Sequence, residues 1–105
     1  MEPWQKKIHD QVVARDEWRC IDCGESSDTV HHIISRGRYK KTPELVWRPE
    51  NLVVLCERCH LGGPGRNGAH NPVSRAKHMR YLQKTFGYQY SGEWSRIMDA
   101  YGEER

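Results

Sequence analysis

Apolar residues recur with a helical period at the start of the chain. Trp4, Ile8 and Val12 stand at every fourth position, which is the spacing of one face of an α-helix. The stretch from residue 3 or 4 to about residue 15 is therefore predicted to form an amphipathic helix. Its apolar side is expected to cover the core.

Capping residues and periodicity together predict two more helices in the last third of the chain. Asn71 is a favourable N-cap and Pro72 suits the first helical position. A helix is therefore predicted from there to about Thr85, closed by Gly87. A last short helix is predicted over residues 92–101, where apolar and aromatic residues return at helical spacing.

The middle of the chain has shorter apolar pieces, which are typical of strands. Residues 18–21 and 29–34 are separated by a turn-rich stretch, and this pattern predicts a hairpin. The aliphatic run 52–55 predicts a short buried strand. A helix is expected to begin near Glu57 and to end at the glycine-rich run 62–65, within about two turns.

Composition indicates that burial alone does not hold this fold together. The chain has 105 residues, of which 36% are hydrophobic, so we expect one domain with a thin core. Domains of this size often add disulfides or a metal ion. No apolar run is long enough to cross a bilayer, and the first residues lack the apolar stretch of a secretory signal. The resulting expectation is a cytoplasmic, reducing location.

The formal net charge of +3 hides two basic segments. Basic residues dominate 31–48 and 66–84, on either side of the nearly neutral stretch 49–65. This distribution suits an anionic polymer such as nucleic acid, although a solvated charged surface would have the same sequence pattern. The first basic segment includes residues 35–49, where glycine and prolines without periodicity predict a long surface loop.

The four cysteines form two C-x2-C pairs, Cys20 with Cys23 and Cys56 with Cys59. Thiolates three residues apart in a tight turn can point at one ion, and two such pairs complete a tetrahedral zinc site. A reducing compartment disfavours disulfides. The sequence therefore predicts a structural Zn2+, whose binding energy would add to the stability of the fold.

Three histidines and an asparagine accompany the cysteine pairs. His31 and His32 are adjacent, Asn51 precedes the aliphatic run, and His60 directly follows the last cysteine. Over roughly residues 12–60, this order and spacing resemble the HNH endonucleases, which belong to the ββα-metal, or His-Me finger, nucleases.

The resemblance implies an α+β fold with a small ββα-metal core, a four-cysteine zinc site and flanking helices. A single HNH nuclease domain would then span residues 1–105. Its parts would be an N-terminal helix within 1–17, the zinc-clamped core over 18–62 and C-terminal helices over 71–105.

The resemblance also implies roles for the four polar residues. His32 would be the general base, His31 and His60 would hold the catalytic metal ion, and Asn51 would orient the His32 ring or its loop. Neighbouring residues on a strand point to opposite faces, so His31 and His32 are expected to perform different tasks. His70 lies just past the glycine-rich run, and the sequence leaves open whether it joins the metal site or lies on the surface.

Many relatives carry a carboxylate at the position of His31. Two imidazole ligands without a protein anion shift the expected preference for the catalytic divalent cation from Mg2+ towards Mn2+, Co2+, Ni2+ or Zn2+. The remaining histidines, His9 and His78, are predicted to be ordinary core or surface residues.

The function that the resemblance implies is metal-dependent hydrolysis of DNA phosphodiester bonds, by nicking with low sequence specificity, to 5′-phosphate and 3′-hydroxyl ends. The residues expected to contact DNA are Arg36, Arg38, Tyr39, Lys40, Lys41, Lys77, Arg80 and Lys84. The protein would be a monomer or weak dimer of phage or bacterial host origin, working with other phage or prophage proteins. Two alternatives stay open, namely a non-catalytic zinc-containing module that binds nucleic acid and a nuclease directed at RNA.

Overall fold

A computed structural model describes residues 1–62, 69 and 71–101 and has a mixed α+β fold. It combines helices with a small two-stranded sheet and has the elements of a ββα core, as predicted. Its helices are α1 (Pro3–Arg15), α2 (Glu57–Leu61), α3 (Pro72–Phe86) and α4 (Gly92–Tyr101), and its strands are β1 (Val30–His32) and β2 (Leu52–Val54). None of the helices within these residues is long and apolar enough to cross a membrane.

Local capping chemistry explains why the helices begin and end as the sequence predicts. At the start of α1, the side chains of Glu2 and Gln5 form a reciprocal capping box. At the start of α3, Asn71 accepts a hydrogen bond from the backbone N–H of Ser74 at 2.9 Å. Gly87 ends the same helix in the left-handed conformation, with φ of 78°, which costs glycine little.

The predicted hairpin between residues 18–21 and 29–34 is wrong. The first segment makes one isolated bridge, between Arg19 and Ser26, and then folds as the first cysteine turn. Strand β1 instead pairs antiparallel with β2, and His31 lies opposite Val53. The apolar strand β2 supplies a buried ladder partner, which the polar turn-rich segment cannot do.

The predicted surface loop 35–49 is more ordered than its sequence suggests. It contains two short 3-10 helices, Arg36–Tyr39 and Pro43–Leu45. The two apolar residues that follow, Val46 and Trp47, are buried. The loop therefore contributes to the core with its last turn and keeps its basic first half on the surface.

Strand β2 divides the core into two layers, because its side chains alternate between the faces of the sheet. Leu52 and Val54 pack with Val12 and Val13 of α1. Val53 and Leu55 pack on the other face in a second cluster, with buried residues of the C-terminal helices. These are Met79, Leu82 and Met98. Cross-strand partners share a face, so His31 faces the layer of α3 and its neighbour His32 faces the layer of α1.

Candidate active site and zinc site

The two cysteine turns meet at the start of α2. The ligating sulfur atoms of Cys20, Cys23, Cys56 and Cys59 all lie within 4.8 Å of one another, and those of Cys23 and Cys56 are 3.6 Å apart. A tetrahedral zinc ion with bonds of about 2.3 Å places its sulfur ligands about 3.8 Å apart. The four cysteines are therefore positioned to bind a metal ion, and their chemistry suits zinc.

The surroundings of the sulfurs lower the pKa of one of the four thiols. The backbone N–H of Glu25 donates to the Cys23 sulfur and lowers the pKa of that thiol to about 7. Burial, together with the other three thiols, raises the pKa of Cys59. A cation is what allows all four sulfurs to be thiolates at neutral pH.

A second cluster, of histidines, lies beside the four-cysteine cluster, since His60 directly follows Cys59. The rings of His31, on β1, and His60, on α2, have centroids 4.8 Å apart and an interplanar angle of 64°. Two imidazoles that bind one ion at about 2.1 Å place their centroids about 5 Å apart. The two rings, hereafter the His31–His60 pair, therefore fit a shared divalent cation.

His31, His32 and His60 line one cleft, which His32 reaches from the opposite face of β1. Its ring packs edge-to-face against Trp47, with centroids 4.6 Å apart. The cleft is open and has a volume of about 810 Å3, and its lining includes His31, His32, His60, Trp47 and Arg36. The end of the short strand thus brings two opposed side chains into one solvent-accessible space.

Asn51 holds the backbone that surrounds the cleft. Its fully buried amide donates to the carbonyl oxygens of Ile34 (3.1 Å) and Val46 (2.9 Å). Its Oδ1 accepts from the backbone N–H of Ile34 and from the indole N–H of Trp94, both at 2.8 Å. Of the two roles considered for Asn51, these contacts match the positioning of the loop that follows His32.

A comparison with protein families matches residues 20–62 to the model described as HNH endonuclease. This segment of the chain is similar to the HNH endonucleases. The matched segment includes both cysteine pairs, His31, His32, His60 and Asn51. A search of curated proteins and a search of solved structures return no match.

Within the matched segment, the surroundings of His32 favour its neutral form. Burial is the main cause that lowers its pKa, to about 4, and the charges of Arg36 and His60 act in the same direction. Its Nε2 is buried and has no hydrogen-bond partner among the described residues. A neutral imidazole can accept a proton, as a general base must.

One histidine that the sequence analysis treated as ordinary lies next to His31. His78, on α3, is 1% exposed, and its ring centroid is 6.0 Å from that of His31. Its Nε2 lies 3.2 and 3.1 Å from the two carboxylate oxygens of Asp22, and this hydrogen bond lowers the pKa of Asp22. His78 stands four residues before the buried Leu82, so its helical position indicated burial, but the sequence carried no sign of its neighbours.

The basic residues predicted to contact DNA have different surroundings. Arg36 lines the cleft, and Lys40 and Lys41 are exposed nearby in sequence. Arg38 lies 3.4 Å from Glu93. On α3, Lys77 lies 3.4 Å from Asp22, Arg80 is half-buried and Lys84 is exposed.

Tyr39 makes its contacts within the protein itself, with residues of α4. Its hydroxyl donates to Glu93 at 2.9 Å, and its ring stacks on Trp94 with centroids 6.3 Å apart and planes within 6°. The ring therefore fastens the basic loop to α4. His70 lies outside the described residues.

Proposed function

We propose that this protein is a metal-dependent endonuclease that hydrolyses DNA phosphodiester bonds. The observation that carries the proposal is the shared cleft in which the His31–His60 pair fits a cation and His32 stands beside it as a neutral base. The family match supports nuclease chemistry at this position.

The residues divide the chemistry between them. The His31–His60 pair would hold a divalent cation, which supplies Lewis-acid stabilisation of the charge on the scissile phosphate and the departing oxygen. His32 takes a proton from the attacking water, whose oxygen forms a bond to phosphorus as the bond to the 3′-oxygen breaks. The products are 5′-phosphate and 3′-hydroxyl ends.

Substrate binding would rest on phosphate contacts. Arg36 lines the cleft, and Lys40 and Lys41 extend the same basic segment. Contacts to phosphate hold the substrate in place without reading its sequence, so low sequence specificity is expected. One such cleft cuts one strand at a time, and nicking is the expected outcome for a monomer.

His32→Ala tests the proposed chemistry. The variant should lose cleavage of supercoiled plasmid, while zinc content, thermal stability and DNA affinity stay close to those of the wild type. Persistent cleavage by this variant would exclude His32 as the base.

Substrate class is tested by incubating the wild-type protein with supercoiled plasmid, single-stranded DNA and structured RNA in parallel. DNA nicks that a ligase can seal directly are expected, because sealing requires a 5′-phosphate beside a 3′-hydroxyl. Preferred cleavage of the RNA would favour the RNA-directed alternative. Binding without any cleavage, with each candidate cation supplied, would favour the non-catalytic module.

A further inference from the structure

His78 lies beyond the segment that matches the HNH family and yet packs against His31, one of the two rings of the His31–His60 pair. We propose that Nδ1 of His78 is a third imidazole ligand of the cation held by that pair, and that Asp22 orients the ring for this role. The inference rests on the cation site of the proposed function and adds a ligand from α3.

The hydrogen bond to Asp22 decides which ring nitrogen is available. A carboxylate only accepts hydrogen bonds, so Nε2 of His78 donates to Asp22. In the neutral ring, the lone pair is then on Nδ1. Metal-binding histidines commonly have this arrangement, in which one nitrogen binds the ion and the other donates to a carboxylate.

The surroundings of Nδ1 supply the second observation. The atom is buried and has no hydrogen-bond partner among the described residues, and the whole side chain is 1% exposed. Buried polar atoms in folded proteins rarely go unpaired. A cation beside the neighbouring imidazoles would satisfy this nitrogen.

The distances require a small adjustment. Ring centroids of His31 and His78 are 6.0 Å apart, whereas rings that share an ion stand about 5 Å apart. Binding of one ion by all three rings would therefore require the His78 ring to move about 1 Å closer to that of His31. Asp22 constrains this movement, because it lies between Cys20 and Cys23 in the first zinc turn.

Three neutral imidazoles would give the ion the ligand set of a catalytic zinc-type site, which has three protein ligands and an open position. Such a site favours Ni2+, Co2+ or Zn2+ over Mg2+. The carboxylate of Asp22 would act from outside the ligand shell by holding His78.

Calorimetric titration with Ni2+ tests the proposal on the full chain with zinc already in the cysteine site. His78→Ala should weaken Ni2+ binding at least tenfold. Asp22→Asn should weaken it by about tenfold or somewhat more, as expected when the partner of a ligating histidine is lost. The matched control is His9→Ala, because His9 lines the same cleft but its two ring nitrogens contact Asp10 and Asp28. It should leave the Ni2+ affinity unchanged.

Variants of the His31–His60 pair distinguish failure of the third-ligand proposal from failure of the proposed cation site itself. If His31→Ala and His60→Ala abolish Ni2+ binding but His78→Ala retains wild-type affinity, the third ligand is refuted and the proposed cation site survives. If the wild-type chain binds no ion beyond the zinc, both the third ligand and the proposed cation site are refuted.

A measurement on the wild-type protein avoids dependence on the folding of the His78 variant. With 113Cd in both sites and 15N-labelled histidine, each ligating ring nitrogen shows a scalar coupling to cadmium. We expect a coupling at Nδ1 of His78 in addition to those of His31 and His60. A His78 ring without this coupling, beside two coupled rings, would overturn the proposal.

Discussion

At the scale of single residues, the adjacent histidines show how one strand places two side chains of the same type in different surroundings. His31 faces the layer of α3 and meets His60, whereas His32 turns to the opposite face and packs on Trp47. Because of this alternation, His31 is buried, whereas His32 has Trp47 and Arg36 as its neighbours. A protonated His32 would be disfavoured by burial and by the nearby charge of Arg36.

The first prediction concerns the ionisation of His32. In the zinc-loaded protein without a second cation, NMR titration should give a pKa of about 4 for this ring. Since the folded state favours the neutral form, His32 should stay deprotonated as the pH falls from 7 to 5. Arg36→Gln should raise the pKa, and Arg38→Gln, which removes a charge paired with Glu93, should not. A midpoint near 6.5 in the wild type would contradict this environment.

The second prediction concerns the choice of cation, which follows from the ligand atoms. Imidazole ligands suit Mn2+, Ni2+, Co2+ and Zn2+ better than Mg2+. Nicking rates measured with single cations should therefore be at least as high with Mn2+ or Ni2+ as with Mg2+. Efficient nicking with Mg2+ alone would be inconsistent with a site built from imidazoles.

At the scale of elements, Asn51 joins parts of the chain that are distant in sequence. It binds the backbone at both ends of the segment between Ile34 and Val46, and Trp94 donates to it from α4. Tyr39 then fastens the middle of that segment to α4 by stacking on the same indole. A helix outside the family match therefore stabilises the loop that forms one wall of the cleft.

The third prediction tests this junction through the stability of the fold. Asn51→Ala leaves several buried backbone groups and the Trp94 N–H without a partner. The free energy of unfolding should therefore fall by about 3 kcal/mol. Urea denaturation of the zinc-loaded protein measures this change. The comparison variant Asn71→Ala removes an N-cap, which typically costs about 1 kcal/mol. An equal effect of the two substitutions would show that the junction is weaker than its contacts indicate.

At the scale of the whole molecule, the cysteine cluster is part of one of the two thin apolar layers, the layer that contains Val53 and Met79. The turn at residues 20–23 and the turn at 56–59 come from distant parts of the sequence and meet at one point. Strand β2 runs directly into the second turn, and α2 begins there. An ion at the cluster would therefore hold the first cysteine turn against the end of β2 and the start of the helix that carries His60.

The fourth prediction is that zinc removal unfolds the domain. Ions of this type contribute their binding energy to folding because the site does not exist in the unfolded chain. A strong chelator should abolish the cooperative thermal transition seen by circular dichroism, and added Zn2+ should restore it. A melting temperature unaffected by complete zinc removal would assign the stability to the apolar layers alone.

The helix limits and both candidate ion sites were within reach of sequence reasoning. Helix α1 spans Pro3–Arg15 and α3 begins at Pro72, as predicted, because capping and periodicity act between residues close in the chain. The cysteine spacing predicted one cluster. The order of His31, Asn51 and His60, compared with a known family, suggested the other.

Tertiary structure alone decided the pairing of β1 with β2, since strand pairing depends on which apolar surfaces can be buried together and not on neighbours in sequence. It also decided the surroundings of His78, which meets Asp22 and His31 only because α3 packs over that face of the sheet. The same applies to the pKa of His32, because desolvation is a property of the packed site. Residue types and spacings thus determined the available chemistry, and burial between distant segments decided how those groups are combined.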